Sequence, residues 1–178
     1  MDKTKQKIAF SFLIAIFLAA FEGVVVSTAA PVIVKSLHNF KMISWIFSIF
    51  LLTSAISTPI YGKLADLYGR KRIFMIGISI FLFGSLLAGL SQTMHQLIIF
   101  RGIQGIGAGA IFTIGFTMIG DIFTLEERSI IQGAISTIWG IAGLVGPLLG
   151  GFLIDYLSWQ WIFFINIPFG LLFSLYTR

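Results

Sequence analysis

Six apolar runs, most of them about 20 residues or longer, follow one another along this chain with only short polar turns between them. A helix of that length crosses the roughly 30 Å of a bilayer's hydrocarbon. A backbone in lipid must satisfy its own amides and carbonyls, so connecting segments are confined to the two surfaces. The runs occupy 8–34, 42–62, 73–91, 96–120, 130–156 and 161–176, and their short connections force antiparallel neighbours. The chain is 57% hydrophobic and 11% charged, against about 25% charged in an ordinary soluble domain, so no separate soluble domain fits. The expected fold class is an all-α integral membrane protein, a single six-helix transmembrane bundle over 1–178.

Charge sets the orientation. The segment 62–74, GKLADLYGRKRIF, holds Lys63, Arg70, Lys71 and Arg72, four of the twelve Lys and Arg residues, with Asp66 set among them. Short loops rich in Lys and Arg stay cytoplasmic, and an amino terminus on that side puts Lys3, Lys5, Lys7, Arg128 and Arg178 there too. Only Lys35 and Lys41 fall outside, and the turns 91–95 and 157–160 carry no Lys or Arg. The opening run resembles a signal peptide but is too long for one and contains Glu22, which makes it the first span. These features predict a multi-pass protein of the plasma membrane with a cytoplasmic amino terminus. The formal charge of +5 is then topology, with no extended basic face for nucleic acid. Cysteine is absent, which excludes disulfides and Cys-ligated metal.

Three features go beyond span-building. Glu22 lies deep in the first span, where an ionised carboxylate costs at least ~2.5 kcal/mol. It is either satisfied by a neighbouring hydroxyl or amide, or is a protonatable site on a transport path. Arg101, in the fourth span, has two readings: a side chain snorkelling to the outer headgroups, or an inward cation acting on a nearby carboxylate. Glycines form the third feature: Gly102, Gly105, Gly107 and Gly109 in the fourth span, and Gly140, Gly143, Gly146, Gly150 and Gly151 around Pro147 in the fifth. Small residues three and four apart let helices approach closely, and Pro147 removes an amide donor and bends its helix. Asp121, Glu126, Glu127 and Arg128 form a cytoplasmic turn capping the fifth span, and Asp66 and Asp121 are each placed to pair with the Arg70–Arg72 cluster. His38 and His95 fall in outer turns as solvated surface. Asp155, near the outer end of the fifth span, is a surface carboxylate or a vestibule charge.

Gly62, Leu64, Ala65, Asp66, Gly69, Arg70, Lys71 and Arg72 match the pattern G-x-L-a-D-r-x-G-r-k-x, and Leu97, Arg101, Gln104, Gly105, Gly107 and Ala108 match L-x-x-x-R-x-x-Q-G-x-G-A. With these motifs the chain resembles the amino-terminal half of a major facilitator superfamily transporter. Gly143, Gly146, Pro147, Gly150 and Gly151 are similar to that family's antiporter motif. EGVVVSTAAP from Glu22 and WQWIFFINIP from Trp159 resemble patterns of its fourteen-span drug:proton antiporters, with Glu22, Val24, Ser27 and Gln160 as departures. The resemblance implies two inverted three-helix repeats, proton coupling through Glu22 and Arg101, and a cytoplasmic gate at Gly62, Asp66, Gly69, Arg70, Lys71, Arg72 and Asp121. It implies efflux of lipophilic, cationic compounds, driven by a proton gradient with no cofactor, by a protein completed by a second half of six or eight spans. The expectation is that the sequence is a fragment or truncated product that does not transport alone. Rival readings are a carrier of a metabolite, sugar or siderophore, and a non-transporting membrane protein. An enzyme is not expected, since no nucleophile and base occur at usable spacing.

Overall fold

A computed structural model describes residues 3–168 and 170. The helices are α1 (Lys3–Leu37), α2 (Ile43–Tyr68), α3 (Arg70–Gly89), α4 (Met94–Ile122), α5 (Leu125–Tyr156) and α6 (Trp161–Phe164), with one 3-10 turn at Phe40–Met42. Among the described residues, five segments are long and apolar enough to cross a membrane: Ile8–Leu37, Phe40–Tyr68, Arg70–Gly89, Met94–Ile122 and Leu125–Tyr156. The fold is an all-α membrane bundle. The sixth run begins as expected at Trp161; its stretch 171–176 and Arg178 lie outside the described residues, as do the side chains of Lys3 and Lys7.

The span ends differ from those read by hydropathy. The basic segment 62–74 is not a loop. α2 continues to Tyr68, α3 begins at Arg70, and the single residue Gly69 turns the chain, with φ 90° and ψ 134°. A residue with a Cβ is strained at that φ, which explains the glycine. The connection between α4 and α5 is two residues, Phe123 and Thr124. Thr124 Oγ1 accepts from the Glu127 amide and the Glu127 carboxylate accepts from the Thr124 amide, a reciprocal cap that satisfies two orphan donors. Lys5 closes this end by an ion pair to Glu127 at 3.0 Å. At the opposite end, α4 starts on Thr93, whose hydroxyl accepts from the Gln96 amide at 3.3 Å. The chain leaves α1 through His38 at φ 53°.

Side-chain size decides the packing. The main helix pairs are α3 with α4, α2 with α4, and α1 with α5. α4 separates its small residues onto two faces. Gly102, Gly105 and Gly109 meet α2, where a Cβ on Gly109 would stand 2.7 Å from the Ser54 carbonyl oxygen. Gly107 meets α3, where a Cβ would stand 2.6 Å from the Gly77 carbonyl oxygen. Backbone approaches this close exclude any larger residue. α5 uses Ala142, Gly146, Gly150 and Leu153 as its buried face, with Gly146 against Val24 and Gly150 against Val25 and Thr28 of α1. α5 runs on as one helix through Pro147. Exchanging α1–α3 for α4–α6 maps the α1–α5 pair onto α4–α2 and the α3–α4 pair onto α6–α1, all of which are in contact. The α1–α6 contact is much the slightest of these, since α6 is only Trp161–Phe164.

Candidate functional site

In the middle of α1, Glu22 is buried together with Arg101 of α4, each with a side chain 1% exposed, and the two form an ion pair. Arg101 is therefore not snorkelling to a headgroup. Its guanidinium also donates to Gln104 Oε1 at 2.8 Å and, through Nε, to the Ile46 carbonyl of α2 at 3.3 Å. It lies over the Phe50 ring at 4.2 Å from the centroid and 5.9 Å from that of Phe163. A guanidinium is always charged and carries five donors, so a dry site can hold it only by surrounding it with acceptors and ring faces in this way.

The second oxygen of Glu22 faces Asn166, whose Nδ2 donates to it at 3.4 Å and to Ser85 Oγ of α3 at 2.9 Å. Ser85 in turn donates to the Phe163 carbonyl at 2.8 Å. Glu22, Ile46, Ser85, Arg101 and Phe163 thus bring five helices onto one polar cluster. Two buried polar atoms in it, Gln104 Nε2 and Asn166 Oδ1, have no hydrogen-bond partner among the described residues.

At the basic end, Arg70 pairs with Asp121 of α4, lies 3.9 Å from Asp66 of α2, and donates to the Thr117 carbonyl at 3.4 Å. The residues expected there separate into two groups. Arg70, Asp66 and Asp121 form a bridge over three helices, with Gly69 as its turn, and Gly62 sits near Thr113 of α4. Lys71 and Arg72 are exposed and make no ion pair among the described residues. The glycines of the fifth-span motif separate likewise. Gly146 and Gly150 are buried against α1, whereas a Cβ on Gly143 or Gly151 would meet nothing within 4 Å, and Pro147 is exposed. Asp155 is exposed in the last turn of α5, beside the Phe152 and Tyr156 rings, whose centroids are 4.8 Å apart.

Residues 12–178 match the Major Facilitator Superfamily. The chain belongs to that superfamily. Major facilitators are transporters, and among its relatives the chain is 43% identical to Multidrug resistance protein 3 of Bacillus subtilis, over 97% of this chain and 35% of that protein. It is 44% identical to the Multidrug transporter protein MdtP of the same organism, over 90% of this chain and 30% of the relative. The Efflux pump dotC of Dothistroma septosporum is 39% identical, over 91% of this chain and 28% of the pump. The chain spans about a third of the length of these curated relatives.

Glu22 and Arg101 of this facilitator chain were legible in sequence as misplaced charges, and of the two readings of Arg101 the structure has the inward cation beside a carboxylate, Glu22. Asn166 was visible as an amide in an apolar run and had no assigned role. Ser85 gave no signal, because one hydroxyl in a span is commonplace and bonds back to its own helix. The Ile46 carbonyl, being backbone, has no sequence signature.

Proposed function

We propose that this chain is the amino-terminal six-span bundle of a proton-coupled exporter of lipophilic, cationic compounds, lying in the plasma membrane with its amino terminus in the cytoplasm. The observation that carries the reading is the Glu22–Arg101 pair, a carboxylate buried inside the bundle and held by a cation that cannot be neutralised. Protonating Glu22 removes its charge attraction to Arg101. Arg101 then keeps only the neutral Ile46 carbonyl, Gln104 and the Phe50 face, so opening the pair leaves its charge uncompensated and favours a rearranged bundle. Proton binding and substrate release alternate through that opening, and the close glycine contacts of α4 and α5 form the surfaces on which the helices rock.

The names of the relatives support the cargo, and their length supports a missing second bundle. α2 and α5 carry exposed rows of large apolar side chains, among them Leu51, Leu52, Ile56 and Ile60, and Leu144, Leu148 and Phe152. Rows like these suit lipid or the second bundle. In this scheme Arg70, Asp66 and Asp121 brace the cytoplasmic gate of the alternating-access cycle.

The test uses a chimera of this chain and the remaining length of Multidrug resistance protein 3, in inverted membrane vesicles with ethidium as cargo. The expected result is ethidium uptake that collapses with a protonophore, and none from the 178-residue chain alone. Uptake that is insensitive to the protonophore would sink proton coupling. A chimera that folds, inserts and moves no lipophilic cation would sink the cargo.

A further inference from the structure

We infer that the outer face of α3 at the basic end is a binding site for one anionic phospholipid of the adjoining leaflet. A groove of about 920 Å³ opens there, bordered by Tyr68, Lys71, Arg72, Met75, Ile76 and Ser79. Its two parts differ in chemistry. At its head stand Lys71 and Arg72, the members of the basic cluster that the Arg70–Asp121 bridge leaves without a carboxylate among the described residues. Tyr68 ends α2 beside them, exposed, with a phenol hydroxyl able to donate. Gly69 between them has no side chain, and a Cβ there would meet nothing within 4 Å.

Below the charges the groove turns apolar. Arg72, Ile76, Ser79 and Phe83 follow one another three and four apart, one stripe along α3, and all four are exposed. The hydroxyl in the stripe, Ser79 Oγ, already donates to the Met75 carbonyl at 2.9 Å. It therefore asks nothing of a hydrocarbon neighbour. Two uncompensated cations above an apolar trough, at the end of a membrane helix, complement a phosphate with acyl chains beneath it. A free phosphate would use the head and leave the trough empty. The site is independent of the efflux reading, since it requires only that this end of α3 lie at a membrane surface.

The test is native mass spectrometry of the chain in mild detergent, titrated with phosphatidylglycerol or phosphatidylcholine. Each basic residue near a phosphate is worth roughly fivefold in affinity, so with two of them phosphatidylglycerol is expected to bind roughly 25-fold more tightly than phosphatidylcholine. The double variant Lys71→Gln/Arg72→Gln is expected to erase that preference, and Lys63→Gln, at the same end but outside the groove, to keep it. Ile76→Trp, which fills the trough with both charges intact, is expected to weaken phosphatidylglycerol binding. Inorganic phosphate in excess is expected not to displace it. Equal binding of the two lipids overturns the site. So does a preference that survives the double variant, an equal loss in Lys63→Gln, or displacement by inorganic phosphate. If the double variant fails to fold, the Ile76→Trp and phosphate arms still decide.

Discussion

Removing one member of the Glu22–Arg101 pair has a cost that depends on which member goes. Glu22→Gln keeps the shape and an acceptor oxygen, yet it leaves a guanidinium at 1% exposure with only neutral partners: Gln104, the Ile46 carbonyl and the new amide. Breaking a buried pair from one side costs about 3–5 kcal/mol. Arg101→Met is the milder change, because a carboxylic acid has a neutral form to fall back on and a guanidinium has none. It also keeps a long apolar side chain against Phe50. A cost of roughly 2–3 kcal/mol is expected for it, the penalty of an imperfectly bonded buried polar group. The double variant Glu22→Gln/Arg101→Met removes both charges and should be more stable than Glu22→Gln alone, with a coupling of at least ~2 kcal/mol between neighbouring sites. Unfolding in mixed micelles of rising SDS fraction, followed by far-UV circular dichroism, measures all four corners. Additive single effects, or a double variant less stable than Glu22→Gln, would show that the two charges do not stabilise each other.

The remaining expectations concern packing and helix ends. Gly109→Ala pushes a methyl into the Ser54 carbonyl and should cost about 1–3 kcal/mol in the same assay, while Gly143→Ala, inside α5 with open space around it, should be neutral to stabilising by up to about 1 kcal/mol. His38→Gly relieves a left-handed backbone at φ 53° and should raise stability by about 1 kcal/mol; a loss would show that the His38 side chain is needed there. Asn166→Leu removes the donor to Glu22 and Ser85 and should cost about 1–3 kcal/mol through the groups left unpaired. A neutral result would mean that these bonds contribute little.

How much of this was legible in sequence follows from what each signal reports. Hydropathy marks where lipid ends, so it located the five spans seen among the described residues, but it does not mark where backbone hydrogen bonds end. α2 accordingly runs six residues past Gly62, carrying Lys63 and Asp66 on helix, and the supposed loop shrinks to Gly69. Charge is conspicuous in an apolar run, so Glu22 and Arg101 stood out. Their contact joins positions 79 residues apart, and nothing along one chain encodes which charge meets which. The glycines of α4 were readable as close-packing residues. That Gly105 and Gly109 serve α2 while Gly107 serves α3 depends on the rotation of α4 about its axis. The same rotation in α5 separates Gly146 and Gly150, which touch α1, from Gly143 and Gly151, which do not. In the basic cluster, adjacency suggested one role for Arg70, Lys71 and Arg72. Successive helical residues point about 100° apart, and only Arg70 reaches Asp121.

In the proposed transport cycle the buried Glu22 carboxylate exchanges a proton for cargo. The most direct measurement is proton movement itself, in inverted vesicles holding the chimera and an acid interior reported by acridine orange, with ethidium then added. The expected result is a partial loss of the proton gradient on adding ethidium to the wild-type chimera, and none with Glu22→Gln expressed at the same level and still inserted. Equal proton release by the two proteins would contradict the claim and move proton coupling to another group.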